Sequence, residues 1–116
     1  DNDTLSALLA NLIDADLLVM LTDADGLFTA DPHLNPKAQL VRRVDRIDAG
    51  IQALAGQHRN SQSRGGMPIK LAAAKLATAS GVTVVICNGQ TPRAALRAAQ
   101  GEDIGTLFLP TSINEE

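Results

Sequence analysis

Two short stretches of this chain hold residues whose types and spacing suit chemistry. The first is Leu17–Pro32, LLVMLTDADGLFTADP, in which the apolar residues Leu17 to Leu21 run straight into Thr22 and Asp23. A short unbroken apolar run reads as a strand buried on both faces. Polar groups at its end then lie on the carboxyl edge of a parallel sheet, where open α/β folds bind ligands. The same letters also suit an ordinary strand followed by an Asx-turn, with Asp23 and Asp25 bonding their own backbone. The second stretch is Arg64-Gly65-Gly66-Met67-Pro68-Ile69-Lys70. Glycines before a helix let the backbone approach a ligand. The unpartnered N–H groups of the first turn and the positive end of the helix dipole suit a phosphate. Lys70, in that first turn, is placed to meet an anion, and Arg64 just upstream adds a second positive charge. The plainer alternative is a polar loop followed by a surface lysine.

Asp1-Asn2-Asp3 forms a smaller third group. Asp3 reads as a helix cap; a working role for Asn2 and Asp3 requires them to face the same cleft as Thr22 and Lys70. Other chemistries lack their residues. The spacing GxxxxGK[ST] of a P-loop is missing, and no serine sits in a GxSxG elbow. There is no CxxC or HExxH, and His33 and His58 fall in loops without companion ligands, so no metal site held by the protein alone is expected.

The elements that must position these residues follow from periodicity. Leu5, Leu8, Leu9, Leu12 and Ile13 recur at helical spacing after Asp3, predicting a helix over 4–13 with one apolar stripe. A strand over 17–21 follows, then a long loop over 22–38 carrying Pro32 and Pro36, then a short edge strand within 40–44. Asp48 caps a helix that Gly56 closes. After a polar loop, Pro68 opens an alanine-rich helix that stops at Gly81. Val82–Cys87 is a second continuous apolar run, hence a second buried strand. Residues 88–92 turn into a helix that ends at Gly101, and 105–109 form a last short strand. Strands alternating with helices predict a three-layer α/β/α fold around a largely parallel sheet.

The bulk composition agrees. The chain has 116 residues, enough for one modest domain, with 45% hydrophobic and 20% charged residues. With no Trp or Tyr and only two Phe, the core must be aliphatic. A net charge of −3 without a basic stripe speaks against nucleic acid as a partner. Arg42, Arg43 and Arg46 read as a solvated face. No apolar run reaches membrane-spanning length, and the opening DNDTLSALLANL reads as an amphipathic helix rather than a targeting segment. The single cysteine, Cys87, lies in an apolar run and is expected to be a buried thiol, in keeping with a reducing, cytoplasmic compartment.

Taken together, DNDTLSALLANLIDADLLVMLTDADGLFTADP, then GGM with Lys70, then KLAAAKLATASGVTVVI and the closing GTLF resemble the amino acid kinase family over nearly the whole chain. The most specific block is TDxxGLxTADP after an apolar strand. It is shared in part with the uridylate kinases of the family, whereas the DNDTLSA opening leans towards members that phosphorylate L-glutamate. The resemblance implies transfer of the γ-phosphoryl group of ATP, with Mg2+ held chiefly by the phosphates, to the γ-carboxylate of L-glutamate. The product, γ-glutamyl phosphate, opens proline biosynthesis. By the same resemblance Asn2 would hold the glutamate and Asp3 would orient the catalytic lysines. Thr22 and Asp23 would contact the nucleotide, and Arg64, Gly65, Gly66, Met67, Pro68, Ile69 and Lys70 would cover its phosphates. Lys70 would stabilise charge on the group in flight, which fits a reaction that depends on positioning and neutralisation.

The family's catalytic domain is longer than this chain. The resemblance therefore implies the C-terminal, nucleotide-binding half of such a domain, inactive as a kinase alone and part of a homo-oligomer when whole. The phosphate segment departs from the family pattern GTGGMxTK, with Ser63 for Gly, Arg64 for Thr and Pro68-Ile69 for a small residue and Thr. Ile69 lacks a hydroxyl and Pro68 a backbone donor, so ATP binding is expected to be weaker or altered. A uridylate kinase or another family member, and a non-catalytic nucleotide-binding or dimerising module, are the alternatives the sequence leaves open.

Overall fold

The computed structural model describes residues 16–56 and 66–111. The expected helix over 4–13, together with Asn2, Asp3, His58, Arg64 and Gly65, lies outside the described residues.

The first apolar run forms strand β1, Leu17–Thr22, and the second forms β3, Thr83–Asn88. They pair in parallel along their full length, from Leu17 beside Thr83 to Thr22 beside Asn88. Between them come β2, Arg43–Val44, helix α1, Ala49–Ala55, and helix α2, Gly66–Ala79; helix α3, Ala94–Ala99, and β4, Thr106–Phe108, complete the fold. The strand order is β1-β3-β4-β2. β1 with β3 and β2 with β4 are parallel, while β3 and β4 are antiparallel, so the sheet is mixed. β4 starts beside Ile86, towards the carboxyl end of β3, and runs back along it.

Alternation along the strands divides the core into two layers. Leu18 and Met20 of β1, Val84 and Ile86 of β3 and Phe108 of β4 pack with Met67, Leu71, Ala74 and Ala77 of α2, and with Ala55 of α1. Leu17, Val19, Val85, Cys87 and Leu107 face the other way, onto Ala94 and Ala98 of α3. Helices thus cover both faces of the sheet, as expected for a three-layer α/β fold. The alanines of α2 and α3 let these helices approach the sheet closely, which compensates for the lack of large aromatics.

The helix ends show how local sequence sets the frame. The Asp48 carboxylate accepts from the Ile51 N–H at 2.9 Å, the expected N-cap of α1. Gly56 closes α1, as expected, in a right-handed conformation with its N–H on the Leu54 carbonyl. Helix α2 ends as expected: the Gly81 N–H bonds the Thr78 carbonyl and the Val82 N–H bonds the Ala77 carbonyl, each at 3.0 Å. Helix α3 closes the same way, with Gly101 N–H on Ala98 and Glu102 N–H on Arg97. Pro68 is the third residue of α2 rather than its first; N–H groups throughout the first turn have no intrahelical partner, so proline fits anywhere in it.

The stretch expected to be an edge strand contributes less ladder than predicted. Leu40 makes an isolated antiparallel bridge to Phe28, and only Arg43–Val44 joins the sheet. The long loop is nonetheless tied down. Asp31 is buried, and its carboxylate accepts from the His33 N–H at 2.9 Å. Thr106, fully buried, donates its hydroxyl to the Val41 carbonyl at 2.6 Å and accepts from the Leu27 N–H at 2.9 Å.

Candidate functional site

The path of α2 decides whether the two chemical stretches meet. Its residues from Met67 to Ala77 pack on the same cluster as Val84 and Ile86, so it lies along the sheet. Its last turn sits at the amino end of β3. Only residues 80–82 separate the two elements, and the Thr111 N–H, just beyond β4, bonds the Thr78 carbonyl at 3.0 Å. A helix of 14 residues rises about 21 Å, and a strand of six spans about 20 Å. The first turn of α2, with Gly66, Met67, Pro68, Ile69 and Lys70, therefore lies at the carboxyl edge of β1 and β3. That is the edge where Thr22 and Asp23 stand.

The faces agree as well. Leu18 and Met20 face α2, so by alternation Thr22 does too; on β3, Val84 and Ile86 carry the phase to Asn88. Thr22 and Asn88 are register partners and stand side by side at the strand ends, on the helix side of the sheet. The chain leaves β1 towards α1 and α2 on one face and leaves β3 towards α3 on the other. Neighbouring strands whose exits diverge in this way open a crevice at their carboxyl ends, the usual ligand position in an open α/β sheet.

Within the crevice the polar groups are mutually tied. Thr22 is 7% exposed; its hydroxyl lies 3.4 Å from the Asp23 carboxylate, and its carbonyl accepts from the Gly89 N–H at 2.9 Å. Asn88 donates its side-chain amide N–H to Asp25 at 3.1 Å, while its amide oxygen accepts from the Gln90 N–H at 2.8 Å. This pattern fixes the amide's orientation. Reversed, it would set a carbonyl against the Asp25 carboxylate and an NH2 group against the Gln90 N–H. The sequence reading passed over Asn88; its only local signal is a polar residue closing the apolar run VVIC before Gly89.

The glycine-lysine segment divides by burial. Met67 is 1% exposed and belongs to the core cluster, so its side chain anchors the helix and only its backbone faces outward chemistry. Lys70 is half-buried, Gly66 is half-buried, and Pro68 and Ile69 are exposed. On the opposite side of β3, burial pushes the Cys87 thiol above its ordinary pKa of 9.0, which keeps it protonated and out of the crevice chemistry. Among the described residues there is no group of three or more His, Cys, Asp or Glu side chains placed to hold a metal, and no helix long and apolar enough to cross a membrane.

Residues 1–88 match the family model described as amino acid kinase family. The chain is 50% identical over 111 residues to the glutamate 5-kinase of Dehalococcoides mccartyi, covering 96% of this chain and 30% of that protein. It is 51% identical over 109 residues to the glutamate 5-kinase of Deinococcus radiodurans, with 94% and 30% covered. The chain thus spans about 30% of the length of these curated relatives. In fold it is similar to the uridylate kinase of Archaeoglobus fulgidus, with a TM-score of 0.62 at 24% identity over 89% of this chain and 44% of that one. It is equally similar to the carbamate kinase of Giardia lamblia bound to AMP-PNP, with a TM-score of 0.62 at 24% identity over 94% of this chain and 32% of that one.

Proposed function

The chain belongs to the amino acid kinase family, and on that premise we propose that it forms the nucleotide-binding part of an ATP-dependent kinase acting on the γ-carboxylate of L-glutamate. The observation that carries the choice of acceptor is the identity of about half, across nearly the whole chain, to proteins named glutamate 5-kinase. The crevice supports the donor side. Thr22 and Asp23 close one strand of it, and the first turn of α2 opens at the same edge and on the same face. In this reading residues 1–116 are the C-terminal half of one catalytic domain, and the remaining length supplies the rest of the amino-acid site.

The reaction is a displacement at phosphorus. A γ-carboxylate oxygen of glutamate forms the new bond to the γ-phosphorus, the bond to the β–γ bridging oxygen breaks, and ADP leaves with that electron pair. The protein's task is to align donor and acceptor and to offset charge. The Lys70 ammonium would stabilise negative charge on the phosphoryl oxygens, beside first-turn N–H groups. Arg64 and Gly65 would continue the phosphate cover, Asn2 would hold the glutamate, and Asp3 would orient the lysines. The donor set fits Mg2+ arriving with ATP, because Mg2+ commonly takes phosphate oxygens and water with at most one or two carboxylates. The ion would offset charge on the phosphates. A cytoplasmic, proline-producing enzyme is the corresponding cellular reading.

The test uses the full-length protein containing this chain. Incubated with ATP, Mg2+ and glutamate, it should form an acyl phosphate that hydroxylamine traps as the hydroxamate, and Lys70→Ala should abolish it. Phosphorylation of UMP instead would favour a uridylate kinase. ATP binding without turnover of either acceptor would favour a non-catalytic nucleotide-binding module.

A further inference from the structure

The polar clip at the mouth of the crevice has one bond that joins the two strand exits side chain to side chain. The Asn88 amide reaches from the end of β3 to Asp25 in the turn after β1, 63 residues earlier, and the same amide receives the Gln90 N–H. That turn carries Thr22 and Asp23. The backbone bond from the Gly89 N–H to the Thr22 carbonyl lies alongside, so the two exits are held by a backbone link and a side-chain link together. The backbone link fixes Thr22. Of these two links the side-chain one reaches past Asp23, and it is half-buried or exposed at the crevice rim rather than part of the core. Its removal leaves both core clusters intact.

We propose that Asn88, acting through Asp25, is a positioning residue for the nucleotide: it holds the 22–25 turn at the spacing the crevice requires. The proposal rests on the nucleotide reading above. Neither Asn88 nor Asp25 need touch the nucleotide; the pair sets where Thr22 and Asp23 stand. An electrostatic role for Asp25 would behave differently, because a carboxylate near a triphosphate opposes its binding whether or not Asn88 is present.

A double-mutant cycle in the full-length protein separates these cases, with ATP affinity read by calorimetry and KM measured for both substrates. Asn88→Ala and Asp25→Ala should each weaken ATP binding about fivefold, the size of one modest hydrogen bond. The double variant should be no worse than Asn88→Ala, and Asp25→Asn, whose oxygen still accepts the amide, should bind ATP like the parent. KM for the acceptor and the melting temperature should stay near parental values. ATP affinity within twofold of the parent for Asn88→Ala, tighter binding by Asp25→Ala, or additive losses in the double variant would each overturn the proposal. A parent that binds no ATP overturns both this inference and the nucleotide reading. A parent that binds ATP but leaves glutamate untouched overturns the acceptor assignment alone, and the cycle still judges the clip.

Discussion

Replacing Thr106 with valine tests whether one buried hydroxyl locks the long loop to the sheet. Thr106 is 0% exposed, and its oxygen serves two backbone groups, donating to the Val41 carbonyl and accepting from the Leu27 N–H. Valine keeps the shape and removes both bonds. Each buried partner left without a hydrogen bond costs about 1–3 kcal/mol. Burying the extra methyl returns about 1 kcal/mol. The expected net loss is therefore about 3 kcal/mol. Thr106→Ser keeps both bonds and gives up only a methyl, costing about 1 kcal/mol. Urea unfolding of the full-length protein at unchanged slope measures the totals, and amide exchange locates the loss at Leu27. A valine variant as stable as the serine variant, or one with full protection of the Leu27 amide, would refute the reasoning.

Gly105→Ala should be at least as damaging. Gly105 has φ +66°, and a Cβ there would strike the Ile86 carbonyl oxygen and Cys87; the left-handed strain and overpacking together are expected to cost about 3 kcal/mol or more, read as a lower urea midpoint. Asp48→Ala removes the N-cap bond to Ile51 and should cost about 1 kcal/mol, with Asp48→Ser restoring most of it. Because burial raises the Cys87 pKa above its ordinary 9.0, the folded state favours the protonated thiol. The stability it contributes is full below pH 9.0 and is lost as the pH rises through the higher folded value. Iodoacetamide should therefore label native protein at pH 8 far more slowly than urea-unfolded protein, and equal rates would contradict the burial.

Much of the frame was legible because it is written locally. The unbroken runs LLVML and VVIC both form strands, but only VVIC is buried on both faces; Leu17 to Met20 are half-buried and Leu21 is exposed, because β1 has only one strand neighbour among the described residues, β3. Asp48, Gly81 and Gly101 punctuate helices through bonds to residues within a few positions, which sequence alone can anticipate. The edge strand was overestimated: it was expected within LVRRV, residues 40–44, yet only Arg43 and Val44 find a ladder partner, in β4. Pairing partners lie far along the chain and leave no local mark.

The candidate site shows the same division. Thr22, Asp23 and the glycine-lysine turn stand out by their letters and by the likeness of their spacing to a family pattern. Asn88 does not, because its partner is 63 residues away and its own neighbourhood looks like any strand end. Met67 reads by likeness as phosphate cover, yet its side chain is core.

By itself the sequence determined the two apolar strands, a mostly aliphatic core and where the helices stop, since hydrophobic period and capping act within one or two turns of chain. Tertiary structure alone decided that β4 runs against β3, and that Thr22, Asn88 and the mouth of α2 share one face at one sheet edge. Both outcomes depend on burying the α2 and α3 faces against the sheet at once. That constraint acts on the whole chain, and no local stretch of residues expresses it.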